Sequence, residues 1–166
     1  DPSWEKLPKT GLRTPGHFYK EGKIAPTRVQ AVFLQAVHDE EKILFKLTWD
    51  DPKENKEATS PDALALVLRP QGVNPLISLL SWPANTEAPP LDVILWRANL
   101  SETKRNLQKG FSFPEQTGTV LKSESSYEEG RWSVLLAVPA VPATAVAGTF
   151  LAVAVWEGNN QETGRR

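Results

Sequence analysis

Few residues in this chain have the types and spacing that chemistry needs. Its two histidines, His17 and His38, stand far apart and form no H-E-x-x-H or similar spacing, so they do not spell a metal motif. His38 falls in a polar turn, His38-Asp39-Glu40-Glu41, where a solvated imidazole is expected. His17 lies in an irregular N-terminal segment and reads as a loop residue first and a ligand second. The run Asp50-Asp51-Pro52-Lys53-Glu54-Asn55 is densest in side-chain oxygens. Calcium is the ion such a run would serve, but it lacks the glycine and spacing of an EF-hand loop and reads as an acidic loop that ends a strand. Gly110-Phe111-Ser112-Phe113-Pro114 lacks the second glycine of a nucleophile elbow, and there is no P-loop or G-x-G-x-x-G. Asn99-Leu100-Ser101 has the pattern of a glycosylation acceptor, meaningful only in a secreted eukaryotic protein. The absence of cysteine excludes a disulfide scaffold, a thiolate zinc site and a C-x-x-C-H haem attachment. No catalytic residue and no metal set is visible, so the chain does not read as an enzyme.

Six tryptophans are many for 166 residues. Trp49, Trp96, Trp132 and Trp156 fall in predicted strands and read first as core filling. The alternative is that some line a flat apolar slot for a ring-shaped ligand. Trp82 beside Pro83 could stack on a sugar, the chemistry of a ligand-binding or sugar-binding module.

The elements that would position these residues are strands. In Lys42-Ile-Leu-Phe-Lys-Leu-Thr-Trp49, Ile43, Phe45, Leu47 and Trp49 alternate with mostly polar residues, which is the period of a strand with one wet and one buried face. Val29–Val37 precedes it and completes a hairpin. Further strands are predicted over Asp62–Arg69, Leu91–Ala98 and Arg131–Val138, the last with Trp132, Val134 and Leu136 inward. Thr149–Trp156 is apolar on both faces, as a central strand would be, and a weaker strand covers Gly118–Lys122. Leu100–Lys109 reads as a short helix with Ser101 as N-cap. The stretch from Trp132 to Trp156 is uncharged and long enough to span a bilayer, but Pro139 and Pro142 at its centre break a helix, so it reads as two buried strands and no transmembrane span is expected. The expected fold is all-β, an antiparallel β-sandwich with long loops and at most short helices, over a single domain 1–166. Asp50–Pro61 and Asn74–Pro90 are the long loops.

Composition agrees: 40% hydrophobic and 23% charged residues describe a folded domain. A formal net charge of −1 builds no field for nucleic acid or an acidic membrane surface. There is no methionine, so Asp1 follows either removal of a signal peptide or trimming of the chain.

Several segments together resemble one family. They are Asp1-Pro-Ser-Trp4-Glu-Lys-Leu-Pro8, the hairpin ending Trp49-Asp50-Asp51-Pro52, Ala63-Leu-Ala-Leu-Val-Leu-Arg-Pro70 and Leu91-Asp-Val-Ile-Leu-Trp96-Arg97-Ala98. Gly130-Arg131-Trp132-Ser-Val134 and the closing Ala152-Val-Ala-Val-Trp156-Glu-Gly158-Asn159-Asn-Gln-Glu162-Thr-Gly164-Arg165-Arg166 complete the series. In order and spacing they are similar to the haem-binding γ subunit of the ethylbenzene dehydrogenase and dimethylsulfide dehydrogenase family. The resemblance implies a β-sandwich holding one b-type haem between its sheets, an exported or periplasmic setting, and electron transfer within a larger, membrane-associated redox complex.

The chain departs from that pattern at the iron. The family's methionine ligand corresponds to Leu79 or Leu80, and its lysine ligand, in the closing motif, to Arg166. Leucine has no lone pair to donate, and arginine keeps its proton. The expectation is therefore a non-catalytic, structural or docking subunit of an electron-transfer complex without haem. The alternative is a haem b held through a histidine, His17 first, with Lys20, Lys23 or His38 behind it.

Overall fold

Alternating sequences become strands here because only paired strands satisfy the backbone while one face stays dry. The computed structural model describes residues 3–14, 17–18, 24–25, 28–57, 59–69, 91–108, 118–139 and 150–158. Among them the chain forms β1 (Thr10–Arg13), β2 (His17–Phe18), β3 (Ile24–Ala25), β4 (Ala31–His38), β5 (Lys42–Asp50) and β6 (Ala63–Arg69). β7 (Leu91–Arg97), β8 (Thr103–Gln108), β9 (Thr119–Glu128), β10 (Arg131–Pro139) and β11 (Phe150–Trp156) follow. A 3-10 turn covers Trp4–Lys6.

All strand pairs are antiparallel. Nine strands make one sheet in the order β1-β4-β5-β10-β9-β8-β7-β6-β11, and β2 with β3 makes a separate ribbon. β9 is the corner: Thr119–Leu121 pair with β8, whereas Lys122–Glu128 pair with β10. The two halves of the sheet therefore face each other across one core, and the sheet nearly closes into a barrel. The all-β architecture expected from sequence is the one observed, with both layers belonging to a continuous sheet.

The inner face carries the predicted residues. Phe45, Leu47, Trp49, Trp132, Val134 and Leu136 are buried, Ile43 is half-buried against them, and Lys42 is exposed. From the other half, Leu64, Leu66, Ile94, Trp96 and Val155 close the core. The opposite face of β6, β7 and β11 is also buried, with Ala63, Ala65, Val67, Val93, Leu95 and Trp156 forming a second cluster. Trp156 thus lies on a different face from the other three strand tryptophans.

Turn chemistry fixes the hairpins. Asp39 accepts the backbone N–H of Glu41 (2.9 Å) and Lys42 (2.8 Å), which closes the β4–β5 turn. Those same N–H groups hold the exposed Asp39 carboxyl below its ordinary 3.8. Glu129 and Gly130 have φ of 50° and 75°, the signature of a two-residue turn whose twist matches the strands it joins.

Three expectations need correction. Thr103–Gln108 is strand β8, not the helix expected over Leu100–Lys109, so Ser101 caps nothing. Pairing with β7 and β9 on both sides outweighs the modest helix propensity of its Lys, Arg and Leu. The weak strand at Gly118 is longer than predicted and runs to Glu128. β11 is not central: β6 is its one partner among the described strands, and its two apolar faces come from the closed core inside and the second cluster outside. The stretch from Trp132 does form two strands, but β10 and β11 sit in opposite halves of the sheet. Among the described residues no helix is long and apolar enough to cross a membrane.

Candidate functional site

The two ends of the barrel differ. At one end, period two carries past the last strand residues and turns three acids inward: Asp51 lies two residues after Trp49, Asp62 two before Leu64, and Glu157 two after Val155. All three are fully buried. They sit beneath a tryptophan cluster in which Trp96 meets Trp132 edge-on at 5.0 Å and Trp49 at 5.9 Å, while Trp49 stacks on Trp132 at 6.2 Å.

Asp62 is the keystone of this end. One of its oxygens accepts the Asn55 N–H (2.7 Å) and the Trp132 indole N–H (3.0 Å), and the other accepts the Gly158 N–H (2.8 Å). Its own backbone joins the loop to β7, since its carbonyl accepts from the Ala98 N–H and its N–H donates to the Asn55 carbonyl, each at 2.9 Å. One carboxylate thus links the 51–62 loop, β10, the start of β6 and the end of β11.

Asp51 is bound differently. Its Oδ1 accepts the Lys53 N–H at 3.1 Å, while Oδ2 is buried without a hydrogen-bond partner. Burial foremost, and then the charges of Asp62 and Glu157, push its pKa up to about 7. The Trp49 indole N–H acts against that rise without closing to a normal hydrogen bond. The Tyr127 hydroxyl donates to the Asp51 carbonyl at 2.8 Å, and burial followed by the nearby acids raises that phenol. Arg28 reaches Glu157 at 3.8 Å.

The far end is looser. The connections 70–90, 109–118 and 140–149 all leave from it, with the short β4–β5 turn beside them. On the inner face there, Leu68, Leu151 and Ile43 are half-buried, whereas Val138, opposite Ile43, is fully buried. Arg105 and Asp92 form a two-pronged ion pair there (2.6 and 2.9 Å), which raises the arginine further. Asp92 and Arg105 lie in register with Leu68 and Ile94, so the pair edges an apolar mouth.

The structure places His38 at the end of β4, exposed, beside a shallow hollow of about 170 Å³ shared with Val37, Asp39, Lys42 and Leu44. Small-molecule sites usually start near roughly 300 Å³, so this hollow is a surface dent. His17 lies on the β2–β3 ribbon, opposite Ala25. Lys20, Lys23, Leu79, Leu80, Trp82 and Arg166 lie outside the described residues. Among the described residues, no group of three or more His, Asp or Glu side chains is arranged to hold a metal ion.

A haem of the kind the resemblance implies needs a flat slot and two axial donors. At the acidic end, packed indoles occupy the space between the sheet halves. At the looser end the apolar mouth has one described imidazole near it, His38, and the chain offers neither methionine nor cysteine. The chain matches no protein-family model and no curated protein sequence.

Sequence reasoning placed Asp51 in an acidic loop that ends a strand and passed over Asp62 and Glu157 as site residues. The signal was present: each continues a strand's inward alternation by one step.

Proposed function

We propose that this protein is a non-catalytic subunit of an exported or periplasmic electron-transfer complex, serving as a structural or docking element without haem. Three features support that reading. The sequence resembles the γ-subunit family along nearly its whole length while lacking the expected axial ligands. Tryptophans fill the interior at one end. The strand ends that flank the long connections lie at the other.

The observation that carries the proposal is the half-buried apolar rim of Ile43, Leu68 and Leu151 at the end from which those connections leave. Loops held by a rigid scaffold are where binding residues concentrate, and apolar surface beside them suits a protein interface. The test is isolation of the tagged protein from its native exported fraction under mild conditions. Stoichiometric recovery with redox subunits supports the proposal; a monomer without partners overturns it.

The same rim favours a second reading, in which one haem b is held through a histidine, His17 before His38, and the protein itself carries electrons. A Soret band in the native protein, with α and β bands on reduction, would replace the first reading by the second.

A further inference from the structure

The acidic end of the barrel gathers three buried carboxyl groups. Asp51, Asp62 and Glu157 come from the end of β5, the start of β6 and the end of β11, and all are fully buried. Three N–H donors converge on Asp62, and Arg28 approaches Glu157 from before β4 with a side chain 56% exposed. Asp51 has one backbone donor and one buried oxygen with no partner.

The other charged groups are already engaged nearby. Lys56 pairs with Glu54 at 2.6 Å and lies over the Trp132 ring. Arg131 pairs with Asp50 at 2.8 Å on the exposed side. Arg97 ends β7 beside Asp62, and Tyr127 of β9 spends its hydroxyl on the Asp51 carbonyl. A buried carboxylate with an unpartnered oxygen and two like neighbours is expensive as an anion and much cheaper as a neutral acid.

We propose that this end is a proton-operated latch: Asp51 holds a proton while the 51–62 loop is clasped against β10 and β11, and its ionisation loosens that clasp. The rise of the Asp51 pKa to about 7 agrees with this and sets the upper limit of the window near neutrality. The sign follows from linkage. The closed form keeps a proton that the opened or unfolded chain, at the ordinary 3.8, has lost. Closure is therefore favoured below that value, weakens as pH rises, and levels off above about 7.

Two measurements test the latch. Carboxyl-carbon NMR of the intact protein should show one aspartate titrating near neutrality, and Asp51→Asn should remove that signal. Amide exchange supplies the second. Protection of the Asn55 and Gly158 N–H groups, corrected for intrinsic rates, should fall about tenfold between about pH 6 and about pH 8 in the wild type and stay level in Asp51→Asn. The proposal is overturned if every aspartate titrates in the ordinary acid range, or if protection is independent of pH, or if Asp51→Asn shows the same fall. Should that variant fail to fold, the wild-type carboxyl titration decides alone.

Discussion

Replacing Asp62 by alanine should cost more than almost any other single change outside the tryptophan cluster. The substitution removes the acceptor for the Asn55, Trp132 and Gly158 N–H groups and leaves three buried donors without partners. Each orphaned donor costs about 1–3 kcal/mol, and water entering the vacated space recovers part of that, so the expected loss is about 3–6 kcal/mol. Single domains have about 5–15 kcal/mol in total, so the variant should be close to the edge of folding. At about 2–4 °C per kcal/mol for a chain of this size, the thermal midpoint should drop by about 10–20 °C. Asp62→Asn keeps one acceptor oxygen and should lose about half as much. Far-UV and near-UV circular dichroism read the fold and the coupled indoles separately, and a urea titration at low temperature covers a variant too weak to melt cleanly. A fall of less than about 4 °C for Asp62→Ala would refute the keystone assignment, because it would mean that water or another group serves those donors equally well.

Two further substitutions probe the same end. Trp132→Phe removes the indole donor to Asp62 and one partner of both Trp49 and Trp96; it should cost about 1–3 kcal/mol by chemical denaturation and flatten the near-UV spectrum. Gly158→Ala would press a methyl group against the Ser60 carbonyl and within 2.8 Å of Asn55 Cβ, so its melting midpoint should fall by several degrees, whereas Gly11→Ala, whose methyl meets only the Phe33 ring at 3.5 Å, should change little.

The inner face of the fold was legible because Ile43, Phe45, Leu47 and Trp49, and likewise Trp132, Val134 and Leu136, keep strict alternation, and alternation has one structural meaning when one face is buried. β8 was not legible. Thr103–Gln108 is rich in charged and amide side chains, and its strand state depends on neighbours that propensity cannot see. β9 extends past its legible part for a related reason: Ser123 to Ser126 looks like a loop, yet just beyond the sheet's corner it pairs with β10. The acidic end was missed because a run such as Asp50-Asp51-Pro52 shows charge but not destination. Asp50 points outward to Arg131 and Asp51 points inward, and only the closure of the barrel makes the second a buried acid.

The proposal that this protein works without haem can be checked by an absorption spectrum of the protein isolated from its native exported fraction. No Soret band attributable to this chain is expected, before or after dithionite, and none should be gained when the purified protein is titrated with haemin. A stoichiometric Soret band with α and β bands on reduction, lost when His17 is replaced by alanine, would contradict it.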